Sequence, residues 1–232
     1  MKLFHVSWSP FVRKVMIAAI ERNIENQIEL IEANIGFADK TLKIVESELT
    51  NYNPSGRVPT LITDSGENIY DSTVIVHYLD TIGDAAPVIP INNHDKIKSL
   101  KLDALVQEVI DSLRLISHEN RRDENKRLPD YLEALDSKIK RGLSILENEV
   151  LNFSNLTSNP IDLGAISVAT LIGTIKRNSQ SKYNIPRKNF FMGRWIKHSG
   201  WYPNFRQPQL FKNGKMSYTM ESVHEGYISH SD

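Results

Sequence analysis

Not one cysteine occurs in the 232 residues. Structural disulfides, thiolate metal sites and every mechanism that needs a protein thiol are therefore excluded. Excess charge of one sign is missing as well. The 28 basic residues balance 28 acidic ones, so no global field recruits nucleic acid or an anionic membrane. No apolar run approaches the ~20 residues of a membrane span. The start, Met1-Lys2-Leu3-Phe4-His5-Val6, is too short for a signal peptide and reads as a first strand, which leaves the cytoplasm as the expected location. There is no phosphate loop, dinucleotide glycine signature or Ser-His-Asp motif. No metal is expected either, because His224 and His230 have no acidic or thiol partner at ligand spacing.

What is present divides into two halves. A chain of this length fits one large domain or two ordinary ones and buries roughly 70% of its unfolded surface. Residues 1–80 alternate strand and helix. After the first strand, Ser9 is placed as an N-cap and Pro10 at the first helical position, where its missing N–H costs nothing. Phe11, Val12, Val15, Met16, Ala19 and Ile20 follow at helical spacing. Ile28 to Ile31 reads as a strand and Ala38 to Leu49 as a polar helix. Gly83, Pro87 and Pro90 mark residues 81–92 as a linker. Beyond it, Leu102, Leu105, Val106, Val109, Ile110, Leu113 and Ile116 form one amphipathic stripe, and Leu132, Leu135, Ile139, Leu143, Leu146 and Val150 form another. Asp162 precedes an almost wholly apolar helix as a one-sided cap, since Ala165 cannot return the bond. The run from Arg121 to Arg127 contains two acids and no aromatic, so it reads as a solvated helix connection rather than a nucleic-acid patch. Phe190, Phe191, Trp195, Trp201, Tyr202 and Phe205 are expected in a terminal helix and closing segment of a helical domain over 93–210, with a flexible tail over 211–232.

The most informative stretch runs from Asn53 to Leu79. Val58 precedes Pro59 and is pushed into an extended conformation. A cis bond there would turn the Val58 N–H and C=O outward, free to pair with another backbone. Pro59 opens the short strand Thr60–Thr63, a tolerated place for proline. Asp64-Ser65-Gly66-Glu67 is a turn, Asn68–Tyr70 a second strand, and Asp71-Ser72 stand where side-chain oxygens cap a helix. A helix N-terminus also attracts carboxylates.

Asn-Pro-x-Gly-x-Val-Pro-x-Leu followed by Asp-Ser at a helix start resembles the glutathione-binding half of a cytosolic, bacterial-type glutathione S-transferase, and the similarity covers about residues 1–208. It implies a thioredoxin-like domain followed by an all-helical domain. It also implies a homodimer acting in detoxification, with glutathione as co-substrate and a small electrophile as acceptor. Ser72 would receive the γ-glutamyl carboxylate, Asp71 the ammonium, and Val58 with Pro59 the peptide backbone. Arg13 would pair with an acid at the domain interface or hold the glycyl carboxylate. Ser9 takes the position of the serine that faces the sulfur in serine-type members, with Ser7 as the alternative. Pure capping and a plain strand start account for the same residues. Two other readings stay open, a glutathione-dependent reductase or isomerase and a non-catalytic regulatory protein of the same fold.

The energetics of activation are modest. A thiol of pKa ~8.5 is about 3% thiolate at pH 7, and lowering it by ~2 units requires ~2.7 kcal/mol. One hydrogen bond to a charged group contributes roughly 1.5–3 kcal/mol, and a helix N-terminus adds ~0.3–1. One hydroxyl at one helix start is enough. The acceptor pocket is expected around Leu105, Val109 and Ser112.

Overall fold

The computed structural model describes residues 1–35, 48–152 and 161–178, together with six short strands between 183 and 229. Strand β1 (Lys2–His5) lies at the centre of a four-stranded sheet. It pairs in parallel with β2 (Glu29–Glu32) on one side and antiparallel with β3 (Thr60–Ile62) on the other. A hairpin adds β4 (Asn68–Ile69) at the edge. Its turn needs a left-handed residue, which Gly66 supplies at φ +85°. Thr63 then closes the loop, its main chain bonding Glu67 and Gly66 and its hydroxyl accepting from the Glu67 N–H.

The parallel β1–β2 crossover is helix α1 (Pro10–Glu21), and the chain leaves β4 into α2 (Ser72–Ile82). Val12, Val15, Ala18 and Ala19 of α1 and Ile75, Val76 and Leu79 of α2 are buried with Leu3, Phe4 and Leu61 of the sheet in one core. This is the thioredoxin-like arrangement expected from the sequence. The helix expected over 38–49 falls almost wholly outside the described residues, which resume in a 3-10 turn at Glu48–Asn51.

Residues 83–92 connect α2 to α3 (Asn93–Glu119), and the 121–127 segment connects α3 to α4 (Pro129–Asn152). Arg127 in that segment donates to the carbonyls of Asn120 and Arg122, satisfying free acceptors at the end of α3. Both predicted stripes face inward, with Leu102, Val106, Val109 and Ile110 of α3 and Leu135, Ile139 and Leu146 of α4 all buried. The last long helix, α5 (Leu163–Asn178), begins at Asp162, which accepts from the Ala165 N–H at 2.9 Å. A second free N–H at that helix start is served from another helix, since the Ser99 hydroxyl accepts from the Gly164 N–H at 2.9 Å.

The chain divides into two compact units, Met1–Leu171 and Ile172–Asp232. In the second unit the described residues beyond α5 form antiparallel pairs: β5 (Tyr183–Pro186) with β8 (Arg206–Leu210), β6 (Phe190–Phe191) with β7 (Arg194–Trp195), and β9 (Met216–Tyr218) with β10 (Tyr227–Ser229). This corrects the expectation of a terminal helix through Phe190, Phe191 and Trp195. Aromatic residues favour strands at least as well as helices, so composition alone did not decide. Trp201, Tyr202, Phe205, His224 and His230 lie outside the described residues.

The 83–92 connection is held by ions. Arg22, at the end of α1, bonds the carbonyls of Asp80 and Gly83 and lies 3.3 Å from the Asp80 carboxylate. That carboxylate in turn accepts from the N–H groups of Val88 and Ile89. Gly83 leaves no space beside Arg22. A Cβ there would meet the Arg22 carbonyl oxygen at 2.8 Å and its Cβ at 2.6 Å. Gly83→Ala is therefore expected to cost about 1–3 kcal/mol by overpacking. Urea denaturation measures it, and a change below ~0.5 kcal/mol, the scatter of neutral surface substitutions, would show that Arg22 moves aside freely.

Candidate functional site

The sheet register brings the motif residues to one edge. Leu61 pairs with Ile69, so the residues just before β3, Val58 and Pro59, lie at the same end of the sheet as those just after β4, Asp71 and Ser72. Likewise Phe4 pairs with Thr60, and continuation sets Val6 opposite Val58. The end of β1 with its Ser7–Ser9 loop, the start of β3 and the start of α2 thus share this edge.

Asn53 shapes the middle of it. Its buried amide donates to the Arg57 carbonyl and the Thr60 hydroxyl, and its oxygen accepts from the Ser55 N–H and hydroxyl. Thr60 also bonds the Arg57 carbonyl at 2.9 Å. With every polar atom engaged, the 53–60 turn has one geometry, and it presents Val58 before a cis Pro59. No hydrogen bond engages the Val58 N–H or C=O among the described residues.

At the start of α2 the N-cap is Asp71. Its carboxylate accepts from Thr73 N–H at 3.0 Å and Val74 N–H at 3.4 Å. Ser72 is the first helical residue, only 2% exposed, and its hydroxyl bonds nothing among the described residues. Ser9 is the N-cap of α1, 4% exposed, and accepts from Val12 N–H at 3.3 Å. A hydroxyl capping in this way uses an oxygen lone pair and keeps its O–H to donate. Ser7 is exposed, as is Trp8 beside it. Arg13 is half-buried.

A cation of α1 that pairs with the helical residues is Lys14, the neighbour of Arg13. Lys14 is 1% exposed and lies 2.9 Å from Asp103 of α3. The same ammonium bonds the Thr73 hydroxyl at 3.0 Å. Asp103 is fully engaged, Oδ1 accepting from Lys14 and from Ser167 of α5, Oδ2 from Thr73 and from Gln107. Burial pushes the Lys14 ammonium below its ordinary pKa, against the raising influence of Asp103 and Asp71. The network ends on Thr73, the residue after Ser72, and so fixes the start of α2. Neither Lys14 nor Asp103 carries a local sequence signal, since each looks like a solvated helix residue and their partners lie far away in the chain.

Two residues expected around the acceptor pocket lie within the helix packing. Val109 and Ser112 are buried in helix packing, Val109 against Gly142 of α4 and Ser112 through a bond from its hydroxyl to the Glu108 carbonyl. Leu105 also approaches Gly142. The small residue lets the two helices close together there. Among the described residues no three acidic or histidine side chains gather as a metal site, and no helix is long and apolar enough to cross a membrane.

This edge and fold have known counterparts. Residues 8–82 match the family model of the glutathione S-transferase N-terminal domain. A glutathione transferase family member from Pseudomonas fluorescens Pf-5, solved with bound glutathione, is 33% identical and superimposes with a TM-score of 0.67 over 75% of this chain and 82% of that one. A family member from that organism is also known with bound S-(propanoic acid)-glutathione, at 33% identity, a TM-score of 0.63 and the same coverage. A glutathione S-transferase from Methylobacillus flagellatus KT with glutathione bound is 30% identical, with a TM-score of 0.65 over 75% of this chain and 82% of that one. The uncharacterized GST-like protein YibF of Escherichia coli (strain K12) is 27% identical over 173 residues, 75% of this chain and 81% of YibF. The chain belongs to the glutathione transferase family.

Removing one partner of the buried pair leaves an uncompensated charge. Asp103→Ala is expected to destabilise by about 3–5 kcal/mol, and Lys14→Met with Asp103→Leu to recover part of that loss. Thermal melting of the three variants decides. A loss under ~1 kcal/mol for Asp103→Ala, the range of exposed pairs, would mean that water replaces the carboxylate.

Proposed function

We propose that the protein binds glutathione along this edge and transfers its sulfur to a small electrophile. The observation that carries the reading is the set of unused valences at the edge. The Val58 peptide groups and the Ser72 hydroxyl are left without partners among the described residues, on elements whose other polar atoms are engaged. An extended peptide with a terminal carboxylate uses both. Its central residue pairs antiparallel with Val58, and its γ-glutamyl carboxylate takes the Ser72 hydroxyl at a helix N-terminus. The Asp71 carboxylate keeps acceptor capacity for the ammonium beyond its two capping bonds. Relatives solved with glutathione support the ligand.

The chemistry is of the serine type in this reading. With no protein thiol available, the nucleophile is glutathione's own sulfur. The Ser9 O–H donates to it at the start of α1, while the Ser9 oxygen continues to cap Val12. Enzyme and ligand together supply proximity and thiolate stabilisation. Arg13 serves the glycyl carboxylate. The division into a 1–80 glutathione domain and a helical acceptor domain, a two-fold dimer in the cytoplasm and a detoxifying role complete the proposal. Light scattering at micromolar concentration tests the dimer. A mass near 26.5 kDa, that of one chain, contradicts it.

Calorimetric titration with glutathione tests the binding, and no heat at millimolar concentration ends the proposal. Ser72→Ala should weaken binding by roughly 1–3 kcal/mol, the cost of leaving a charged group without its partner. Wild-type affinity in that variant would place the carboxylate elsewhere. Ser9→Ala should raise the bound thiol's pKa by about 1–2 units, lowering activity roughly ten- to hundredfold at neutral pH with partial recovery at higher pH. The lost cap also costs ~1 kcal/mol of stability, read from melting. Ser7→Ala is the control, and a pKa shift there but not in Ser9→Ala exchanges the two roles. Turnover of an aryl halide above that of a glutathione mixed disulfide supports conjugation, and the reverse order supports a reductase.

A further inference from the structure

Balance over the whole chain hides a segregation along it. Residues 1–162 contain 18 basic and 25 acidic side chains, residues 163–220 contain ten basic and no acidic ones, and residues 221–232 contain three acidic and no basic ones. All ten of those cations fall within the second compact unit, Ile172–Asp232. Lys176 and Arg177 complement the carboxyl end of α5. Eight remain, from Lys182 to Lys215, with no acid among them.

The same stretch is rich in rings. Between Tyr183 and Phe211 stand eight aromatic residues and five asparagines and glutamines, against four residues of Ile, Leu, Val and Met together. The described strands hold part of this set in register. In the β6–β7 pair, Phe190 lies opposite Trp195 and Phe191 opposite Arg194, so one face carries two aromatic residues and the other an aromatic residue beside a cation. In the β5–β8 pair, Pro186 lies opposite Arg206 and Ile185 opposite Gln207. Each of these sheets has two strands among the described residues, a size that is marginal on its own in water.

Core packing accounts for the rings but not for the exclusion of acids, because a soluble surface intersperses both signs. Eight unopposed cations repel one another, which weakens a small unit further. A polyanion removes that repulsion. An anionic bilayer draws on aliphatic as well as aromatic side chains to enter its acyl region, and aliphatic ones are scarce here. Single-stranded nucleic acid uses what is present: cations for the phosphates, rings on which bases stack, and amides that hydrogen-bond base edges. We propose that the second unit binds single-stranded nucleic acid, with Arg194 and Arg206 taking phosphates and Phe190 and Trp195 stacking on bases. This binding is independent of the glutathione reading above.

Fluorescence anisotropy of the full chain with labelled oligouridylate and oligothymidylate of about 20 nucleotides tests it. At about 50 mM salt both are expected to bind, with affinity falling about tenfold or more by about 200 mM. Tighter oligouridylate marks RNA as the natural source, and tighter oligothymidylate marks DNA. Arg194→Gln and Arg206→Gln should each flatten the slope of log affinity against log salt by about 0.7, one phosphate contact apiece. Trp195→Leu should weaken binding about fivefold or more at an unchanged slope. Arg114→Gln, on α3 in the other unit, removes a charge and should change nothing. Melting curves accompany each variant, and the wild-type salt dependence needs none of them. No binding at about 50 mM salt overturns the inference. So does inorganic polyphosphate that displaces the probe as well, phosphate for phosphate, as unlabelled oligouridylate, since charge alone then suffices. Binding to phosphatidylserine vesicles at concentrations where neither oligonucleotide binds assigns the unit to a membrane and overturns it equally.

Discussion

A charged pair sealed between four helices sets the terms for the rest of this molecule. Ions buried as deeply as Lys14 and Asp103 are tolerated only when their remaining valences are filled. Here Thr73, Gln107 and Ser167 fill them. The requirement runs in both directions. The pair forces α1, α2, α3 and α5 to meet at one point, and those helices must exclude water for the pair to have a fixed geometry. The pair thus ties α3 and α5 to α1 and α2 across the 83–92 connection, within one compact unit. Because Thr73 follows Ser72 directly, the same network orients the helix start on which the proposed carboxylate site stands.

How much of this the sequence disclosed depends on whether the signal was local. Ser9 before Pro10, Asp71 before α2, and Gly66 in its turn each act within four residues, and all appear where their neighbours predict. The stripes of α3 and α4 are legible for the same reason, since period alone marks a buried face. Lys14 was not legible. It sits beside Arg13 with no local feature to mark it as buried, and its partner is 89 positions away. Ser99 shows the same limit. Nothing near it suggests that it accepts from the first turn of a helix starting at residue 163. Val109 shows another limit. Amphipathic pattern says that a face is covered, not by what, and Gly142 brings α4 against Val109.

Capping and ligand binding draw on the same atoms, so finding a cap does not argue against a site. What separates the two is the accounting of valences. The Ser9 oxygen holds Val12 N–H, and its proton is unspent. The Asp71 carboxylate holds two N–H groups and can accept more. Asn53 and Thr60, by contrast, are closed, each bonded to the other and to the Arg57 carbonyl. Closed residues build the frame, and open ones are left where two helix starts and the end of a strand converge.

The character of those open valences bears on what they can receive. The Ser9 and Ser72 hydroxyls, the Val58 N–H and two helix N-termini all present positive charge or a donated proton. Asp71 is the main exception, and an exception of that kind suits a ligand with a single ammonium. A chain with no thiol of its own has to import the sulfur it acts on. An edge biased towards donors favours that sulfur as a thiolate over the neutral thiol, by the same electrostatics that favour carboxylates beside it. Binding and activation then share one cause, since the field that recruits an anionic peptide also lowers the cost of ionising its thiol.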